Sequence, residues 1–146
     1  MIRFDDYKVM YIDEIAHVER ARKNKVYPEG CTLIALSATK GQAELTREPG
    51  TVGARYAVVI PKEGVLPKYL FYSIQQALPR FIHEWAAGIN LQMDKLQYLQ
   101  VGIHPVEVQE EVVNMFETVE EKQNKEEEAL RYWRDAKKRF LVDMFI

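Results

Sequence analysis

Residues 104–146, HPVEVQEEVVNMFETVEEKQNKEEEALRYWRDAKKRFLVDMFI, decide how this chain is organised. Within them Val112, Phe116, Val119, Gln123, Glu126, Leu130, Trp133, Lys137, Phe140 and Met144 are spaced alternately four and three residues apart. That is the seam of a heptad helix, with polar residues in its middle. Pro105 suits the first helical position. Glu107, Glu110 and Glu111 lie in the first turns and Lys137, Lys138 and Arg139 near the last, which is the arrangement the helix dipole favours. From Val108 to Met144 such a helix runs roughly 55 Å. A helix of that length cannot bury its seam against itself. Leaving Phe116, Trp133 and Phe140 in water would cost ~25 cal/mol per Å² of apolar area. We therefore expect Val112, Phe116, Val119, Leu130, Trp133, Phe140 and Met144 to form a surface for a partner or a second copy. Gln123, Glu126 and Lys137 suit the selection of register or partner. Glu121–Lys125, Glu127–Arg131 and Asp135–Arg139 are spaced as solvated i,i+4 pairs on the outer faces.

Working outward, 146 residues suit one domain plus an appendage. A hydrophobic content of 47% with 29% charged residues is an ordinary soluble balance. No apolar run approaches the length of a membrane span, and the charged start Met1–Asp6 lacks the apolar core of a signal peptide, so a cytoplasmic location is expected. The single Cys31 lies in an apolar run and reads as a small buried residue. The net charge of −2 is unevenly spread. Residues 1–105 hold 13 basic and 11 acidic residues; residues 106–146 hold 7 and 11. The globular part is slightly basic, well short of the excess typical of a stand-alone nucleic-acid binder. DNA binding would need either a partner's charges or basic residues gathered on one face.

Along residues 1–105 the pattern is mixed. Tyr11–Val18 places Ile12, Ile15 and Val18 on one side of a short helix. Pro28 and Gly30 mark a turn before the strand Cys31–Ser37. Ala43–Thr46 is a short edge strand, and Arg55–Pro61 a strand closed by its proline. A helix begins near Pro67, and Pro79 is expected to break or kink it and to open a second short helix through Trp85. Residues 88–92 form a loop or short strand, Met93–Leu99 one or two helical turns, and Gln100–His104 a last strand. The expected architecture is α+β: a mixed β-sheet domain with short helices over residues 1–105, then one long coiled-coil helix over residues 106–146.

The chemistry of an active site is not assembled anywhere. His17, His83 and His104 are scattered, with no carboxylate or thiol at metal-ligand spacing. His104 beside Pro105 reads as structural. Gly41, Gly50 and Gly53 make no phosphate-binding fingerprint, and no serine sits in a nucleophile elbow. We expect neither a catalytic residue, a cofactor nor a metal. What remains is a set of polar loop residues: Lys40 and Gln42 around Gly41, Thr46 and Arg47 before a Pro-Gly turn, Arg55 and Tyr56 opening a strand, and Asn90 and Gln92 alternating with apolar neighbours. Arg and Lys read guanine or hold phosphates, and Asn and Gln pair with adenine. Taken singly, each reads more readily as an ordinary surface residue than as a DNA contact, and Asn90 also suits a turn. Their combination with the long helix favours DNA recognition over the alternative, a coiled-coil interaction or adaptor protein with no nucleic-acid role.

The order of segments resembles a known family. An Ile-containing N-terminal helix leads to Tyr27-Pro28-Glu29-Gly30 and an apolar strand ending in Ser37, then a polar glycine loop. A Tyr69-Leu70-Phe71-Tyr72 helix follows, then Gly88-Ile89-Asn90-Leu91-Gln92 and a strand ending His104-Pro105. Gln109-Glu110-Glu111-Val112-Val113 opens the long helix, which closes on Lys137-Lys138-Arg139-Phe140-Leu141 and Met144-Phe145. This is similar to the specificity subunit of type I restriction–modification enzymes, over nearly the whole chain. The resemblance implies a noncatalytic reader of double-stranded DNA, whose target recognition domain reads one half of a split site. It implies a methyltransferase subunit that brings S-adenosylmethionine, with a restriction subunit as a further partner. A full-length specificity subunit carries two recognition domains and two helices; this chain carries one of each. The expectation is a half-sized form whose helices pair antiparallel in a homodimer, with pairing to another specificity fragment as the other possibility.

Overall fold

The computed structural model describes residues 3–145, and side chains through Asp143. The chain divides into two compact units, Met1–Glu111 and Val112–Ile146. The first is α+β. Its strands are β1 (Lys8–Tyr11), β2 (Ala16–Arg20), β3 (Val26–Tyr27), β4 (Thr32–Ala35), β5 (Ala43–Leu45), β6 (Gly50–Thr51), β7 (Tyr56–Pro61) and β8 (Gln100–Ile103). Its helices are α1 (Ile12–Ile15), α2 (Pro67–Trp85) and a 3₁₀ helix at Met93–Tyr98. The helix α3, Val106–Phe145, then runs for 40 residues, roughly 60 Å.

A four-stranded antiparallel sheet, in the order β2-β7-β4-β5, is the frame of the first unit. Successive side chains on a strand point to opposite faces, and both faces of this sheet are covered. Ile34, Ala57 and Val59 face one core, packed with Leu70, Ile74, Leu78 and Phe81 of α2 and with Ile12, Ile15, Leu96 and Leu99. Leu33 and Val58 face a second, smaller core with Tyr27, Cys31 and Ala21. Burial on both faces is why Ala57-Val58-Val59 reads as a continuous apolar run instead of an alternating one. Burial also pushes the Cys31 thiol above its ordinary pKa, keeping it protonated.

The structure corrects the reading of the chain in three places. The helix expected over Tyr11–Val18 is a single turn, and Val18 lies on β2, paired with Val59. Only Ile12 and Ile15 use the helical spacing, and both are buried. Pro79 does not divide α2, which runs unbroken through it. The burial of Ile74, Leu78 and Phe81 on one face holds the helix together across the missing N–H. Pro105 precedes α3 instead of opening it; its carbonyl accepts from Val108 N–H and Gln109 N–H, both at 3.0 Å.

A polar knot at the foot of α3 fixes the last strand and the first helical turns within the first unit. His104 Nε2 donates to the Phe4 carbonyl at 2.8 Å. The Tyr69 hydroxyl lies 2.6 Å from His104 Nδ1, donates to the Gly102 carbonyl at 2.8 Å and accepts the His104 N–H at 3.1 Å. Burial pushes the Tyr69 phenol up from its ordinary pKa, so it remains a protonated donor. Gln109, almost fully buried, bonds to Leu66 N–H, the Gly64 carbonyl and the His104 carbonyl. The structural role expected for His104 is met by this knot.

Candidate nucleic-acid interface

The antiparallel register decides which loops meet. The ends of β2 and β4 and the start of β7 lie at the same end of the sheet. Ala35 is opposite Tyr56, and Leu36 N–H donates to the Arg55 carbonyl at 2.7 Å. Leu91 N–H then donates to the Leu36 carbonyl at 2.8 Å, and Thr39 N–H to the Ile89 carbonyl at 2.8 Å. Backbone hydrogen bonds thus join three of the segments singled out in the sequence: Lys40 and Gln42, Arg55 and Tyr56, and Asn90 and Gln92. All are exposed except half-buried Tyr56. At ~4.8 Å per strand the row they form spans roughly 15 Å of the sheet end.

Local geometry sets each position. Gly41, with φ +75°, turns the loop between Lys40 and Gln42 and lies against Pro79. The Arg55 guanidinium sits 4.7 Å from the centre of the Tyr56 ring and donates to its hydroxyl at 2.6 Å. Cation–π contact orients the positive charge along the ring. Asn90 and Ala87 exchange backbone hydrogen bonds around Gly88, which has φ +61°. The turn role of Asn90 therefore belongs to its backbone, and its side chain is exposed.

Thr46 and Arg47 lie elsewhere. β5 carries the chain from Gln42 to the opposite end of the sheet, where Thr46 Oγ1 accepts from Cys31 N–H at 2.9 Å and donates to the Pro28 carbonyl at 3.1 Å. That hydroxyl pins the 28–31 turn. Arg47 follows it, exposed, at the same end.

The register also brings in basic residues that the loop pattern did not single out. Arg20, opposite Ala57, donates through Nε to the Ala54 carbonyl at 2.9 Å and so stands beside Arg55. Arg22, Lys23 and Lys25 follow it. Buried Glu19 takes two of these charges: Lys25 Nζ donates to Oε1, and Arg22 Nε lies 3.0 Å from Oε2. The Lys25 hydrogen bond, and then the charges of Lys25, Arg22 and His17, hold the Glu19 carboxyl below its ordinary pKa despite burial. Among the described residues, Arg20, Lys23, Lys40 and Arg55 have no ion-pair partner. The sequence carries these residues in a charged run from Glu19 to Lys25; the position of Arg20 beside Arg55 depends on strand pairing.

In the second unit, Val119, Leu130, Trp133 and Phe140 are exposed, Trp133 by 68%. Val112 and Phe116 are half-buried. Met144 lies outside the described side chains. Among the described residues no group of three His, Cys, Asp or Glu side chains could hold a metal ion, and no helix is long and apolar enough to cross a membrane.

No family model and no curated protein matches the sequence. Solved structures do match the fold. A chain from a study of complex assembly and conformational transition of the type I R-M system superposes with a TM-score of 0.73 at 13% identity, over 88% of this chain and 42% of that one. The HsdS subunit from Thermoanaerobacter tengcongensis gives 0.68 at 13% identity, over 88% and 41%. The type I restriction-modification S subunit from M. genitalium gives 0.68 at 10% identity, over 85% and 42%. This chain therefore spans less than half the length of the structures it resembles, and its fold is that of the part of them it covers.

Proposed function

We propose that this chain is the noncatalytic DNA-specificity component of a type I restriction–modification system, working in the cytoplasm. The observation that carries the reading is the likeness over 88% of this chain to about two-fifths of far longer specificity subunits. Residues 1–105 form the target recognition domain and read one half of a bipartite site in double-stranded DNA. Residues 106–146 form the arm that dimerises, spaces the two half-sites and docks a methyltransferase subunit; a restriction subunit is a further partner.

Within the recognition domain, the end of the sheet that joins Arg55, Lys40, Gln42, Asn90 and Gln92 faces the DNA. Arg55, oriented by Tyr56, and the amides Gln42, Asn90 and Gln92 have the donors and acceptors to read base edges. Lys40, Arg20 and Lys23 hold phosphates. Thr46 and Arg47, at the opposite end, stand outside this set. The chain's own charge of −2 leaves part of the phosphate neutralisation to the methyltransferase.

DNA-binding titrations with the methyltransferase subunit, over a series of salt concentrations, test the reading. Selective binding that weakens linearly on a log–log salt plot is the expected result. Binding that does not depend on this chain would favour the adaptor reading instead.

A further inference from the structure

The exposed seam of α3 carries charge at two buried-type positions, Glu126 and Lys137. A lone charge in a helix interface is costly unless a partner charge meets it. We propose that a second copy of this chain packs antiparallel along α3 in one register, with Glu126 opposite the partner's Lys137. This rests on the dimeric arm described above and specifies how that arm is built.

In a two-fold antiparallel pair every contact occurs twice. Fixing Glu126 against the partner's Lys137 places Leu130 against the partner's Trp133 at the centre of the interface. Moving outward, Gln123 meets the partner's Phe140, and Val119 meets position 144 of the partner. Leu130, Trp133, Val119 and Phe140 are all exposed in the single chain, so this packing covers the apolar surface left in water.

Residues flanking the seam agree with the same register. On one side Glu127 falls beside the partner's Arg134. On the other, Lys122 falls beside the partner's Asp143, and Ala129 faces the partner's Ala136, where small side chains admit close approach. Flanking charges of this kind set partner choice and orientation in coiled coils. Among the described residues Glu126, Glu127, Arg134 and Lys137 form no ion pair.

The competing registers fail on charge. Sliding one helix by a heptad in one direction puts Glu126 on the partner's Leu130 and Glu127 against its own copy. Sliding it the other way puts Lys137 on the partner's Trp133 and Arg134 against its own copy. A parallel pair in register sets Glu126 against Glu126 and Lys137 against Lys137.

Charge-swapped full-length chains test the register by sedimentation equilibrium at low-micromolar concentration, alone and with the methyltransferase subunit. Glu126 and Lys137 are exposed, so the swaps leave the first unit intact. E126K alone and K137E alone should each weaken self-association roughly tenfold or more. The double variant E126K/K137E, and an equimolar mixture of the two single variants, should recover association close to wild type. A wild-type dimer whose single variants associate as tightly as it does overturns the register and leaves the dimeric arm standing. A wild-type chain that stays monomeric in both conditions overturns the arm and the register together.

Discussion

The side-chain oxygen of Gln109 accepts the backbone N–H of Leu66 at 2.9 Å. Leu66 is the residue from which α2 starts, and Gln109 lies in the first turns of α3. One buried amide therefore ties the entry of one helix to the entry of the other, while its nitrogen holds the Gly64 and His104 carbonyls. Gln109→Ala leaves a buried N–H and two carbonyls without this partner. We expect a loss of about 2–3 kcal/mol in urea unfolding of the full chain. Gln109→Glu keeps the acceptor but loses both donated bonds, so it should not restore stability.

Glu19 gives the fold an acid-sensitive contact. Its carboxyl is held below the ordinary range by Lys25 and then Arg22, so the folded state binds its proton less readily than the unfolded chain does. The stabilisation is present above the unfolded value of ~4.3 and is lost as pH falls through the lower folded value. Glu19→Gln should cost about 1–2 kcal/mol at pH 7, with exposed Arg22 and half-exposed Lys25 limiting the effect. Unfolding curves of wild type and variant should converge at strongly acidic pH. A constant difference at every pH would show that the amide fails for reasons other than charge.

The residues proposed as base readers and those proposed as phosphate holders should separate in binding assays with the methyltransferase present. Arg55→Ala or Gln92→Ala should cost about 1–3 kcal/mol for the preferred sequence and relax the preference at one position. Lys40→Ala or Lys23→Ala should weaken all sequences alike and reduce the salt slope by about 1. If Arg55→Ala and Gln92→Ala leave sequence preference unchanged, the sheet end assigned to DNA is not the reading face.

Gly41 shapes the loop that carries Lys40 and Gln42, both proposed to face DNA. Its φ of +75° is one that side chains rarely adopt, while an added Cβ would meet Pro79 at an ordinary contact distance of 3.5 Å, so the strain lies in the backbone. Gly41→Ala should destabilise by ~1–2 kcal/mol and displace Lys40 and Gln42. Thermal unfolding measures the first effect. The second should appear as weaker selective binding in a chain that is still folded at the assay temperature.

The long helix, the strands β4 and β7 and the start of α2 were legible because their signals are local. The seam repeats every few residues, Ala57–Pro61 is a closed apolar run, and Pro67 opens a helix. Lys8–Tyr11 gave no such signal. Its residues are mostly exposed, Val9 by 61%, and it becomes β1 only by pairing with Gln100–Ile103 near the far end of the first unit. Pro79 misled because a local rule was overridden by the packing of Leu78 and Phe81. The candidate interface was half legible. The sequence marked Lys40, Arg55 and Asn90 by residue type, but only the β2-β7-β4-β5 order brings Arg20 beside Arg55 and sends Thr46 and Arg47 to the opposite end.

Methylation-site mapping tests the central claim most directly. The cognate methyltransferase subunit would be combined with this chain, and modified positions read across a random-sequence DNA pool. The account predicts methylation at a symmetric, interrupted site, with two identical half-sites in opposite orientation, and its disappearance when this chain is omitted. Methylation of the same sites with and without the chain would contradict it.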